Sequence, residues 1–126
     1  MRAEWYWVKP GIEEVLKEHP QLTFRSEDVY HACLAKEAIL WKAAEGFVVS
    51  TIEVDEFTDQ RTFLIWIAWS RERGQNCAAK YIPFFEVIAK NAGLHKIETR
   101  TAIEALEENF EKSGWKKDTV VYTREL

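Results

Sequence analysis

The residues best placed to do chemistry are Arg73-Gly74-Gln75-Asn76-Cys77-Ala78, which lie between a continuous apolar run and an amphipathic one. Thr62–Trp69 (TFLIWIAW) is apolar on both alternations, the pattern of a strand buried on both faces. From Cys77 the apolar residues take helical spacing, and Gly93 is a helix stop. A strand that feeds a helix N-terminus leaves several backbone N–H groups without intrahelical partners, and the helix dipole favours negative charge at the same point. The chemistry on offer is anion binding, with Arg73 adding a charge and the small Ala78 permitting close backbone approach. An ordinary strand-to-helix connection with a solvated arginine has the same local composition, so the surrounding elements must decide.

Those elements are read as follows. Glu4–Lys9 is aromatic and β-branched, which predicts a first strand ended by Pro10-Gly11. Ile12, Val15 and Leu16 predict a short helix over Ile12–His19, stopped before Pro20. Ser26 is the expected N-cap of a helix over Glu27–Lys36, with Glu27 and Asp28 set against its dipole. Ala38–Ala43 and Phe47–Val54 read as strands joined by a hairpin at Glu45-Gly46, and Asp55–Gln60 as a polar turn. Pro83 lies inside the long helix, removes the bond to Ala79 and predicts a kink. A strand at Lys96–Thr101, a helix at Ile103–Ser113 and a last strand at Thr119–Arg124 complete the order. The expectation is one α+β domain over residues 1–126, a central mixed, mostly antiparallel sheet between helices in three α/β/α layers.

Composition narrows the partners. A net charge of −4, from 17 basic and 21 acidic residues, argues against nucleic acid, which requires an electropositive face. A small anionic ligand needs only a local site. No apolar stretch reaches the length of a membrane span, and MRAEWYWVKPG lacks the apolar region of a secretory signal, so a cytoplasmic location is expected. Cys33 and Cys77 lack metal-ligand spacing, and His19, His31 and His95 do not cluster, so no metal is expected. Trp115 and Tyr122 are expected to close the core, and Trp5, Trp7 and Tyr30 fit either burial or an acceptor pocket.

The loop and its flanks resemble the GNAT superfamily of N-acetyltransferases. Arg73–Ala78 is similar to its R/Q-x-x-G-x-G/A motif, with Asn76 where that family has its first glycine. Ile88-Ala89-Lys90-Asn91-Ala92-Gly93 resembles the end of the helix that follows the motif, and Gly114-Trp115 looks like the Gly-Phe that closes the last helix. The resemblance implies acetyl-coenzyme A as cofactor, its pyrophosphate held by Arg73, Gly74, Gln75, Asn76, Cys77 and Ala78. It implies that the central strand splays from the next, with Trp66 and Trp69 as candidate linings of the cofactor channel, and that a small-molecule or protein amine accepts the acetyl group. Glu53 and Glu98 are candidate bases by location, though each also fits a solvent-facing carboxylate on a strand. Phe110 stands where many members have the tyrosine that protonates the leaving thiolate, and a phenyl ring donates no proton. Asn76 and Phe110 therefore leave a second reading open, a catalytically weak or inactive binding or assembly protein. Ser26–Tyr30, Glu45–Val49 and Asp55–Thr58 look like segments of short phage and prophage members, which would allow a virion component. A homodimer stays open.

Overall fold

The computed structural model describes residues 1–72, 76–100 and 107–126. Its N-terminal segment is helical where a strand was expected. After a 3-10 turn at Arg2–Glu4, helix α1 runs over Trp5–Glu18, straight through Pro10-Gly11. Burial explains this: Val8 and Ile12, one helical turn apart, are fully enclosed, and Val15 and Leu16 continue the same apolar stripe. Pro10 and Tyr6, whose carbonyl loses its partner, are both exposed, so water can satisfy the freed group. Gly11 is a contact and not a stop. A Cβ there would come within 2.7 Å of the Phe47 ring and 2.9 Å of the Trp69 ring, so only glycine lets the helix approach the sheet this closely.

Helix α2 (Ser26–Leu34) starts one residue earlier than expected. The Arg25 N–H donates to Asp28 Oδ2 at 2.8 Å, while the Ser26 hydroxyl, the expected cap, donates to Glu13 of α1 at 3.3 Å. Strands β1 (Ala38–Ala43), β2 (Gly46–Val54), β3 (Arg61–Ser70) and β4 (Lys96–Thr99) form one sheet in that spatial order. The first three are antiparallel and β3 pairs parallel with β4, so the sheet is mixed and mostly antiparallel, as expected. Helix α3 (Cys77–Asn91) crosses from β3 to β4, with Pro83 and Ala79 both on its wet side.

Three layers result. On one face Val8, Ile12 and Val29 from α1 and α2 pack against Phe47, Val49 and Ile67; on the other Phe85 and Ala89 of α3 pack against Val48, Phe63 and Ile65. A β-bulge divides β3 between these cores. Val49 pairs with Ile67 but Ser50 with Ile65, so Trp66 is an extra residue and the alternation changes phase there. Phe63 and Ile65 face α3, whereas Ile67 and Trp69 face α1.

The C-terminal part departs from expectation. Helix α4 covers Glu107–Lys112, and the start of the expected helix at Ile103 lies outside the described residues. Thr119–Arg124 is not a strand: no described strand pairs with it, and Val121 and Tyr122 are 80% and 91% exposed. Trp115 does pack on the α3 core, but Tyr122 does not close it.

Candidate functional site

The end of β3 and the start of α3 are tied together. The Cys77 N–H donates to the Ser70 hydroxyl at 2.9 Å, and Asn76 is the N-cap of α3. Asn76 Oδ1 accepts from the Ala79 N–H at 3.0 Å and its carbonyl from the Lys80 N–H at 3.4 Å. Asn76 takes an ordinary extended conformation with φ of −124° and serves through its side-chain oxygen, so part of the helix's N–H array is already capped by the protein. Arg73, Gly74 and Gln75 of the expected cofactor loop lie outside the described residues. Cys77 is buried, and burial first, then the charge of Glu45, pushes its thiol up. It is a protonated core residue, not a nucleophile.

A second tie, which the sequence reading missed, fixes the other side of this helix start. The tip of the β1–β2 hairpin lies against it: the Arg71 N–H donates to the Glu45 carbonyl at 2.8 Å and Arg71 Nε to the Ala44 carbonyl at 3.0 Å. The Arg71 guanidinium sits 4.7 Å from the Trp7 ring centre. Lys80 and the Tyr81 hydroxyl, the latter at 2.9 Å, donate to the two carboxylate oxygens of Glu45. The hydrogen bond from Lys80, then that from Tyr81, lowers the Glu45 pKa from 4.5 to about 2. The sequence marks Glu45 only as part of a hairpin turn, because nothing in residue spacing connects position 45 with positions 80 and 81.

This depressed pKa has a signed consequence. The Glu45 latch is at full strength above pH 4.5, the group's ordinary value, and is lost as pH falls towards 2. The urea midpoint of the wild type should therefore exceed that of Glu45→Gln near neutrality, and the gap should close between pH 4.5 and 2. A gap constant across that window would show that the carboxylate's ionisation contributes nothing to the latch.

The two candidate channel tryptophans lie on the α1 and α2 face. Trp69 stacks on Phe47 at 5.4 Å and donates from Nε1 to Glu14 at 3.0 Å; Trp66 packs on Phe24 at 5.1 Å. The opposite face of this half of β3 carries Ala68, paired with Val48 and exposed. Pairing with β4 covers only Thr62–Ile65, so from Trp66 to Ser70 the β4 side of β3 has no strand partner among the described residues. Among the described residues this leaves an open backbone edge that begins at the bulge and runs up to the N-terminus of α3.

Glu53 and Glu98 come together below this edge, through a residue the sequence reading did not select. Arg100 donates from Nη2 to Glu53 Oε2 and from Nε to Glu98 Oε2, each at 2.7 Å. Desolvation opposes the Arg100 charge, but the hydrogen bonds it donates to these two carboxylates outweigh it and raise its pKa. Phe110, on α4, packs edge-on to Trp115 at 5.8 Å. Among the described residues no group of three or more His, Cys, Asp or Glu side chains could hold a metal ion, and no helix is long and apolar enough to cross a membrane.

No protein-family model and no curated protein matches the chain. Solved structures do. A probable acetyltransferase superposes with a TM-score of 0.72 at 14% identity, over 98% of this chain and 93% of its own. Ribosomal-protein-alanine N-acetyltransferase from Brucella melitensis biovar Abortus 2308 gives 0.68 at 14% identity, over 98% and 94%. An aminoglycoside acetyltransferase from an uncultured soil metagenomic sample, solved with sisomicin, gives 0.67 at 13% identity, over 98% and 89%. At these identities the likeness establishes the fold: the chain has the mixed-sheet architecture of GNAT acetyltransferases.

Proposed function

We propose that the protein is an N-acetyltransferase that moves an acetyl group from acetyl-coenzyme A to a primary amine. The observation that carries this reading is the edge of β3 beyond the Trp66 bulge, which has no strand partner on its β4 side among the described residues and leads to the N-terminus of α3. When bound, acetyl-coenzyme A supplies an activated thioester.

The chain supplies position and polarity. The main-chain groups of Trp66–Ser70 that face away from β2 pair with the amides of an extended ligand arm, and a main-chain N–H near the bulge polarises the acyl carbonyl. Exposed Ala68 leaves room beside that edge. Arg73–Ala78 holds the pyrophosphate at the start of α3. The open strand edge fits the ligand as it stands; the helix terminus fits once the Asn76 side chain leaves the Ala79 N–H. Glu53 and Glu98 are the candidates for taking the amine's proton, each with one carboxylate oxygen held by Arg100. Phe110 donates nothing, so the thiolate, with a pKa of about 8.5, takes its proton from water or another group. The acceptor class follows from the fold's use elsewhere, where one neighbour is named for a ribosomal-protein alanine and another for aminoglycosides.

The Asn76 cap and Phe110 favour one alternative, a GNAT-like binding protein of little or no activity. The phage and virion readings gain no support from the structures named above. A thermal melt with acetyl-coenzyme A separates the two, because a ligand that binds only the native state raises apparent stability. The melting temperature should rise, less so for Arg73→Ala, and free thiol should appear with a panel of primary amines. A rise without thiol favours the binding protein; no rise overturns the acetyltransferase reading and leaves the fold as a binding or assembly module.

A further inference from the structure

A hollow of about 280 Å³ lies between α3, the loop into β4 and the residues that follow α4. Ile82, Leu94, Ile97 and Trp115 give it apolar walls, and Lys90 and Lys96 outnumber Glu86 among its charged lining. An apolar space of about 150 Å³ is enough to take up a benzene ring. Lys90 has no ion-pair partner among the described residues.

Beside this hollow an aromatic ring stands free. Phe57, in the turn from β2 to β3, is 95% exposed, and Ile52 and Val54, 51% and 53% exposed, lead up to it on the α3 side of β2. One exposed apolar side chain is ordinary, but three in series with an aromatic at the tip form a docking surface. Asp55 orders the turn: its Oδ1 accepts from the Phe57 and Thr58 N–H groups at 2.8 and 3.1 Å, and its N–H donates to the Gln60 carbonyl at 2.9 Å. The ring is thus held out on a backbone that a partner does not have to order. Glu56 and Asp59 flank it, exposed and without an ion-pair partner among the described residues.

Ring and hollow are neighbours. The Arg61 N–H, just past the turn, donates to Nδ1 of His95, which lines the hollow, at 3.0 Å, and the Arg61 carbonyl accepts from the His95 N–H at 2.8 Å. Phe57 does not fill the hollow of its own chain, since its ring lies in solvent.

We infer that this end of the molecule is a homodimer interface, in which Phe57 of each copy enters the hollow beside Trp115 of the other, with Glu56 and Asp59 set against Lys90 and Lys96. A second copy fits because a knob and a hole side by side on one surface are self-complementary about a two-fold axis between them, and such a contact closes at two copies. The charges select the same register, with acid around the knob and base around the hole. The interface is independent of the acetyltransferase reading, because the unpaired edge of β3 and the start of α3 lie at the other end of that strand.

Sedimentation velocity over micromolar concentrations tests it. The wild type should pass from monomer to dimer and no further, and Phe57→Ala should weaken the dimer at least tenfold. Glu56→Lys and Lys90→Glu should each weaken it severalfold, because each alone sets like charges at both contacts. An equimolar mixture of these two variants should dimerise about as well as the wild type, because both contacts of the mixed pair then join opposite charges. Damage to either monomer cannot produce that recovery, and urea unfolding followed by tryptophan fluorescence confirms that each variant is folded. A wild type that stays monomeric, a dimer indifferent to Phe57→Ala, charge variants that stay weak after mixing, or assembly beyond two copies each overturns the interface.

Discussion

Phe47→Ala should lower the unfolding free energy by about 3–5 kcal/mol, the cost of emptying an aromatic core position. Phe47 has no solvent exposure, stacks on Trp69 at 5.4 Å, meets Trp7 edge-on at 5.7 Å and lies against the space where Gly11 has no side chain. A glycine cannot fill the cavity from its side, so collapse around the missing ring is limited. For a domain of this size the melting temperature should fall on the order of 10 °C or more. Urea titration measures the loss. A cost below about 1 kcal/mol, in the range of surface substitutions and small adjustments, would show that α1 is not held to the sheet through this ring.

Asn76→Gly should tighten acetyl-coenzyme A binding about ten- to a hundredfold. The Asn76 side chain now takes the Ala79 N–H, so a phosphate oxygen has to displace it before using that donor. Hydrogen bonds to charged groups contribute about 1.5–3 kcal/mol each, and 1.4 kcal/mol is a factor of ten in affinity. The helix loses little, since glycine at an N-cap costs only a few tenths of a kcal/mol relative to asparagine. Calorimetry on both proteins, with melting temperatures as control, makes the comparison. Unchanged affinity in a folded variant would show that the ligand does not approach α3 at its first turn.

What was legible in the sequence had a local cause. The double-sided apolar run of β3, the helical spacing after Cys77 and the Glu45-Gly46 hairpin each reflect forces acting within a few residues, and each is found. Glu4–Lys9 was misread because Pro10 and Gly11 are taken as punctuation. Pro10 is harmless where its freed partner faces water, and Gly11 is set by the Phe47 and Trp69 rings, residues 36 and 58 positions away along the chain. Thr119–Arg124 has strand composition, yet a strand exists only when another strand takes its hydrogen bonds. The candidate site shows the same limit. Glu53 and Glu98 were selected separately, whereas Arg100, which joins them, and the Glu45, Lys80 and Tyr81 contact come from pairing register and loop packing that no spacing rule encodes.

The bulge at Trp66 also determines how the gene can change. Removing that single codon would restore unbroken alternation along β3 and leave everything after it on its present face: with Ile65 towards α3, Ile67 and Trp69 would still turn to α1 and Ala68 away from it. The large rings would keep the space they fill against Phe47, and only the contact of Trp66 with Phe24 would be lost. Ironing the bulge out while keeping all the residues would do the opposite, turning Ile67 and Trp69 to α3. The spare residue therefore gives β3 a place where one position can be lost without exchanging the faces of the strand.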